Sequence, residues 1–220
     1  MDMKNKSFYC SWSGGKDSCL SLYRAIKMGG NPKFLFTMFT ENGDRSRAHG
    51  LDRKILEMQA KSLGISLITA DATWDDYENT YLESLEFMKR RGIEAGVFGD
   101  IDLTGGREWV EMVCDKVGIE ACLPVWGEKR ETIVNEIIRL GFKAKIVSLN
   151  PKLMDKKFLG RVLDYELVEE LKKENIDPCG EGGEFHTLVV DGPIFTTPLD
   201  IVYKEPIEDN NHWILDMEIK

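Results

Sequence analysis

The first half of the chain alternates between short apolar runs and amphipathic stretches. Ser7–Ser11 reads as a strand. Ser18–Met28 reads as a helix, with Cys19, Leu22, Tyr23 and Ile26 at helical spacing and Gly29-Gly30 closing it. Phe34–Phe39 is a continuous apolar run, as expected of a strand covered on both faces. The same periods predict a helix at Leu51–Leu63 stopped by Gly64, a strand at Ile65–Thr69, a helix at Tyr77–Arg90 and a strand at Ala95–Phe98. A helix at Glu108–Val117, with Trp109, Val110 and Val113 on one face, and a strand at Ile119–Leu123 close the series. Such alternation predicts a doubly wound α/β fold: a parallel sheet with right-handed crossovers.

After Pro124 the pattern changes. A helix at Glu131–Leu140, a strand at Lys145–Leu149 and a helix at Leu163–Glu174 precede a glycine-rich loop, Asp177–Glu184. Apolar alternation then predicts strands through Thr187–Val190, Leu199–Tyr203 and Trp213–Met217. The expected division is a nucleotide-type domain over residues 1–125 and a smaller α+β substrate or specificity domain over residues 126–220.

Charge and cysteine content narrow the function classes. Of the 220 residues, 38 are acidic and 29 basic, a net charge of −9. That balance argues against bulk nucleic-acid binding, which needs clustered Lys and Arg, but leaves a nucleotide ligand open. No run reaches the roughly 20 apolar residues of a membrane span, and the N-terminus MDMKNKSFYC has no signal-peptide apolar region. A cytoplasmic protein without membrane association is expected. Cys10, Cys19, Cys114, Cys122 and Cys179 form no CxxC pair and are expected to be small buried hydrophobes rather than metal ligands. Trp74, Trp126 and Trp213 are read as core or domain-interface residues rather than stacking platforms.

The densest chemistry lies between the first strand and first helix, in Ser13-Gly14-Gly15-Lys16-Asp17-Ser18. In α/β sheets this is the carboxyl edge, where ligands bind. Two glycines allow close backbone approach to an anion, the helix start presents free N–H groups, Ser13 and Ser18 add hydroxyl donors, and Lys16 adds a charge. A carboxylate beside a phosphate is repulsive unless a cation bridges them, so Asp17 points to a Mg²⁺-bound polyphosphate. The loop is not a Walker A motif: Asp17 follows the lysine where Ser or Thr is needed, and Cys10 stands at the first glycine position.

The S-G-G-K-D-S stretch resembles the pyrophosphate loop (PP-loop) of the N-type ATP pyrophosphatases, a group with the HUP fold that cleaves ATP between the α and β phosphates and adenylates its substrates. A second stretch, Gly180-Glu181-Gly182-Gly183-Glu184-Phe185-His186-Thr187 followed by Leu188-Val189-Val190-Asp191-Gly192-Pro193, is similar to the C-terminal motif of the diphthine–ammonia ligase family. Phe34 to Glu41, Pro124-Val125-Trp126-Gly127 and Phe158-Leu159-Gly160-Arg161 share that similarity.

The resemblance implies a five-stranded sheet in the order 3-2-1-4-5. It also implies use of ATP, Mg²⁺ and free ammonium, with amidation of the carboxylate of diphthine, a modified histidine of elongation factor 2, and release of AMP and pyrophosphate. Lys16 and the amides of Gly14, Gly15 and Ser18 would hold the β and γ phosphates, and Asp17 the metal. In that strand order the loop after the fourth strand faces Lys16 and Asp17. Arg107 is then a candidate to offset charge at the α-phosphate, and Asp100 or Asp102 to place Mg²⁺ or substrate. The family's Ser-x-Tyr-Gln-Arg stretch is replaced here by Asp102-Leu103-Thr104-Gly105-Gly106-Arg107, so only the arginine carries over. Glu181 and Glu184 suit either ammonium binding and deprotonation or a second Mg²⁺. Ser11, the backbone near Met38 and Phe39, and His49, read as opening a helix after the polar loop Glu41 to Ala48, are candidate nucleotide contacts. A homodimer is compatible with the sequence. Two competing expectations are a tRNA-modifying enzyme built on the same loop and a non-catalytic ATP-binding module.

Overall fold

A computed structural model describes residues 2–43, 45–47, 49–209 and 212–220, so Asp44 and Ala48 of the polar loop lie outside the described residues. The chain divides into two compact units: residues 1–13 with 17–128, and residues 14–16 with 129–220.

The first unit is the alternating α/β half. Its elements are β1 (Ser7–Ser11), α1 (Lys16–Lys27), β2 (Asn31–Phe39), α2 (Arg53–Leu63), β3 (Ser66–Asp71), α3 (Tyr77–Lys89), β4 (Ala95–Val97), α4 (Thr104–Val117) and β5 (Glu120–Cys122). The sheet order is β3-β2-β1-β4-β5, all parallel, as the alternation and the resemblance predict. Alternate residues of β1 explain why helices cover both faces. Tyr9 joins Phe36, Tyr81, Leu85, Met88, Val110 and Val113 in a core shared with α3 and α4. Cys10 lies on the other side, its Sγ 3.8 Å from the Ser18 carbonyl of α1. Just beyond β1, the indole of Trp12 donates to Gln59 of α2 at 3.0 Å.

Local chemistry moves two predicted helix starts. The carboxylate of Asp52 accepts the Lys54 N–H at 2.8 Å, so α2 begins at Arg53 and His49 sits in a turn before it rather than at its start. Helix α4 begins at Thr104, four residues before the predicted start, because the Gly106 and Arg107 N–H groups both reach back to the Leu103 carbonyl. The glycine is required there: a Cβ on Gly106 would lie 2.7 Å from Asp100 Oδ1.

The second unit holds α5 (Arg130–Arg139), β6 (Ala144–Leu149), a short 3₁₀ turn at Lys156–Phe158, α6 (Tyr165–Lys173), β7 (Phe185–Val189), β8 (Ile201–Asp209) and β9 (His212–Ile219). Its strands form an antiparallel sheet in the order β7-β6-β9-β8. Ile133, Val134 and Ile137 of α5 and Leu167, Val168 and Leu171 of α6 are its buried helix faces.

All five cysteines are buried, as expected. The tryptophans are corrected in part. Trp74 is 73% exposed, not core: it lies in the β3–α3 connection with the Arg47 guanidinium 4.4 Å from its ring centre. Trp126 and Trp213 are half-buried, beneath Arg107 and Lys156 respectively. Among the described residues no helix is long and apolar enough to cross a membrane.

Candidate functional site

The Ser13–Ser18 stretch links β1 to α1. Gly14 has φ +77°, a left-handed conformation that L side chains rarely adopt, which is why a glycine stands there. The Ser13 and Ser18 hydroxyls are 3.2 Å apart, tying the approach to the first turn of α1. The backbone after β4 is pressed against that turn. A Cβ on Gly99 would lie 2.9 Å from the Ser18 nitrogen and 3.0 Å from the Asp17 carbonyl carbon. Asp100 follows. Burial pushes its carboxyl above the ordinary range, a hydrogen bond from its own backbone opposes the shift, and the charge of Asp17 adds to it. Two carboxylates thus lie close enough to repel each other beside a helix start.

Within the second unit, the glycine turn is bound to β7. The Val189 N–H donates to the Gly14 carbonyl at 2.9 Å, and the Lys16 N–H donates to Thr187 Oγ1 at 3.1 Å. The Lys16 side chain is only 5% exposed, and its ammonium lies 3.5 Å from Glu181 Oε1. The loop bearing Glu181 is organised by Asp177, whose carboxylate accepts the Cys179 and Glu181 N–H groups and pairs with Arg130 at 2.7 Å. The Gly182 N–H donates to Glu184 at 2.8 Å. Gly180, at φ +73°, admits no side chain, because a Cβ would meet the Phe185 carbonyl at 2.8 Å. His186 is held down at about 4, first by burial, then by the Lys16 charge and then by His212, whose ring lies 6.4 Å away. It is therefore neutral at physiological pH.

The other predicted residues have varied settings. Arg107 lies in the first turn of α4, paired with Glu111 at 2.7 Å and stacked over Trp126. Ser11 ends β1, where it slightly opposes the burial that raises the Tyr81 phenol. The Met38 carbonyl accepts the Arg47 N–H at 3.0 Å. Sequence reasoning assigned no part to Asp177, His186 or Thr187. Their positions in and beside the glycine-rich motif were the available signal, but contacts with a turn some 170 residues earlier leave no local pattern.

This parallel sheet, in the order 3-2-1-4-5 with a glycine turn leading into α1, defines a doubly wound α/β protein. The chain belongs to the diphthamide synthase family: residues 6–121 match that family's N-terminal domain and residues 129–220 its C-terminal domain. It is similar to the diphthine–ammonia ligase of Schizosaccharomyces pombe, at 26% identity over 94% of this chain and 38% of that protein. It is also similar to the diphthine–ammonia ligase of Homo sapiens, at 27% identity over 83% of this chain and 78% of that protein. The chain therefore spans well under half of the yeast relative. Among solved structures, the U34-tRNA thiolase NcsA of Methanococcus maripaludis overlays with a TM-score of 0.41 and 12% identity, over 81% of this chain and 70% of that one.

Proposed function

We propose that this chain is an ATP-dependent ligase that forms an amide from a carboxylate and ammonia, releasing AMP and pyrophosphate, with diphthine of elongation factor 2 as the acceptor. The observation that carries the reading is Lys16: a lysine at a left-handed glycine turn, its ammonium almost wholly sequestered at a helix start. Family membership supports the same chemistry.

A carboxylate is a poor acyl donor, so activation precedes amide formation. An acceptor carboxylate oxygen attacks the α-phosphorus of ATP and pyrophosphate leaves. The ammonia lone pair then attacks the acyl carbon, AMP leaves, and the surplus proton passes to Glu181 or Glu184. Lys16 and the amides of Gly14, Gly15 and Ser18 bind the departing pyrophosphate. Thr187, by occupying the Lys16 N–H, fixes the turn without consuming those amides. A polyphosphate competing for the Lys16 ammonium frees Glu181, so nucleotide binding readies a carboxylate for ammonium. Arg107 offsets charge at the α-phosphate once it exchanges Glu111 for nucleotide. Ser11, the Met38 backbone and His49 serve the nucleoside.

The neighbouring carboxylates of Asp17 and Asp100 fit a divalent cation, since the charge of Asp17 raises the cost of charge on Asp100. When bound, Mg²⁺ would screen the phosphate charges of ATP, with Asp17 as its protein ligand.

Exchange of labelled pyrophosphate into ATP tests the reading, with diphthine-bearing elongation factor 2 and ammonium present. Acceptor-dependent exchange and AMP formation, both lost in Asp17→Ala, are expected. Formation of ADP, or exchange indifferent to the acceptor, would overturn it.

A further inference from the structure

The first unit carries a chain of aromatic rings that runs from its core to solvent beyond the carboxyl ends of β3 and β4. At the inner end the Tyr81 and Tyr9 hydroxyls are 3.3 Å apart in the buried core. Tyr81 meets Trp109 edge-on at 4.8 Å, Trp109 meets Tyr77 at 5.7 Å, and Tyr77 meets Trp74 at 5.6 Å. Tyr77 and Trp109 are half-buried, and the row ends on the exposed face of Trp74. Isolated exposed aromatics are unremarkable on protein surfaces. A row of four that ends beside a sequestered cation calls for a ligand.

That cation is Arg47. Its side chain is 10% exposed, is held by Glu41 and by the Ala72 carbonyl, and lies over the Trp74 ring. Burial raises the Tyr77 phenol pKa and the Arg47 charge partly offsets this, so the guanidinium stands close to that ring too. Its Nε is buried without a hydrogen-bond partner among the described residues, an unmet donor. Asp75, Asp76 and Glu78 line the same connection and the start of α3. The patch therefore offers electron-rich ring faces in an acidic setting, with one guanidinium stacked on Trp74.

Ring faces of this kind select cations that are poorly hydrated and cannot donate hydrogen bonds, above all quaternary ammonium groups. A carboxylate alone cannot tell such a group from a lysine; aromatic faces can. Diphthine is an amino acid trimethylated on nitrogen, with the quaternary nitrogen beside the carboxylate that would be amidated. We propose that Trp74, Tyr77, Trp109 and Arg47 form the acceptor-recognition site, the rings taking the trimethylammonium and the guanidinium the adjacent carboxylate. The inference rests on the acceptor assigned above and makes its recognition specific.

Direct binding tests it without ATP. The probes are the trimethylated betaine of 2-aminobutyrate, unmethylated 2-aminobutyrate, and the tert-butyl analogue in which an uncharged carbon replaces the quaternary nitrogen and the carboxylate is kept. Binding is read from the indole N–H resonance of Trp74 in ¹⁵N-labelled whole chain, assigned by its absence in Trp74→Ala, and from the neighbouring indole signals in the variants. The betaine is expected to bind at least about fivefold more tightly than either analogue, with Trp74→Ala weakening it about fivefold and Trp74→Phe intermediate. Because Trp74 is exposed, neither variant threatens the fold. In turnover, Trp74→Ala is expected to raise the acceptor KM with little change in kcat. Equal binding of the tert-butyl analogue, unchanged binding in Trp74→Ala, or no betaine binding to the wild type would overturn the proposal. No chemistry enters the titration, so a chain that binds betaine but makes no AMP refutes the ligase reading alone.

Discussion

Thr187→Val removes a single hydroxyl from β7 and nearly preserves its shape. Thr187 is 2% exposed, and its Oγ1 is the acceptor for the Lys16 N–H at 3.1 Å. Water cannot readily take over, because Lys16 is almost as buried. The substitution forfeits a bond worth ~1 kcal/mol and strands a buried donor that costs about 1–3 kcal/mol, so a net loss near 2 kcal/mol is expected. The second anchor, from the Val189 N–H to the Gly14 carbonyl, survives, so the turn loosens without detaching. If the loss falls on ordering of the turn, ATP affinity drops by roughly tenfold, the equivalent of about 1.4 kcal/mol. Urea denaturation gives the stability change and calorimetry the ATP Kd. Thr187→Ser keeps the hydroxyl, loses only a methyl, and is expected to retain most of the ATP affinity. The reasoning fails if the Val and Ser variants bind ATP equally, or if Val lies within about 0.3 kcal/mol of wild type in stability.

Other outcomes follow from single features. His186 titrates at about 4 in the folded chain against 6.5 when unperturbed, so between those values only the unfolded chain takes up the proton. Its contribution to stability is complete above pH 6.5 and falls as the pH drops towards 4, with about 2 kcal/mol lost by pH 5; urea midpoints for wild type and His186→Gln should converge on acidification. Gly99→Ala puts a methyl 2.9 Å from the Ser18 nitrogen, and overpacking against backbone is expected to cost about 1–3 kcal/mol, measured by thermal denaturation. Burial raises the Cys114 and Cys122 thiols to about 12 and about 11, so neither should react with a thiol reagent at pH 8 until the chain is unfolded.

The first sheet could be read from sequence because parallel strands bury both faces and advertise themselves as unbroken apolar runs such as Phe34–Phe39. Its parallel pairing follows from how βα units wind, while its order is implied by the family resemblance. The second sheet offers no such rule. Its β7-β6-β9-β8 order depends on antiparallel registers between distant segments, which alternation alone leaves open. The start of α4 was misplaced because Gly105-Gly106 looks like a turn, whereas here the absent Cβ makes room for Asp100 in a helix's first turn. Trp74 reads as a core or domain-interface residue because its type is usually covered, a ranking that is blind to a neighbouring guanidinium. The S-G-G-K-D-S loop stood out because its chemistry is contiguous. Its ties to Thr187 and Glu181 are tertiary and carry no sequence signal of their own.

The bond between Gly14 and Val189 has a consequence for biogenesis. Synthesis from the N-terminus presents the glycine turn first, and the strand that pins it is translated about 170 residues later. At roughly 5–20 residues per second, that interval is on the order of ten to thirty seconds, long compared with the folding time of a small domain. The α/β unit can form its sheet on the ribosome during this time, but the glycine turn stays unpinned until β7 emerges. The pinned form of the turn is therefore reached only once β7 has been made.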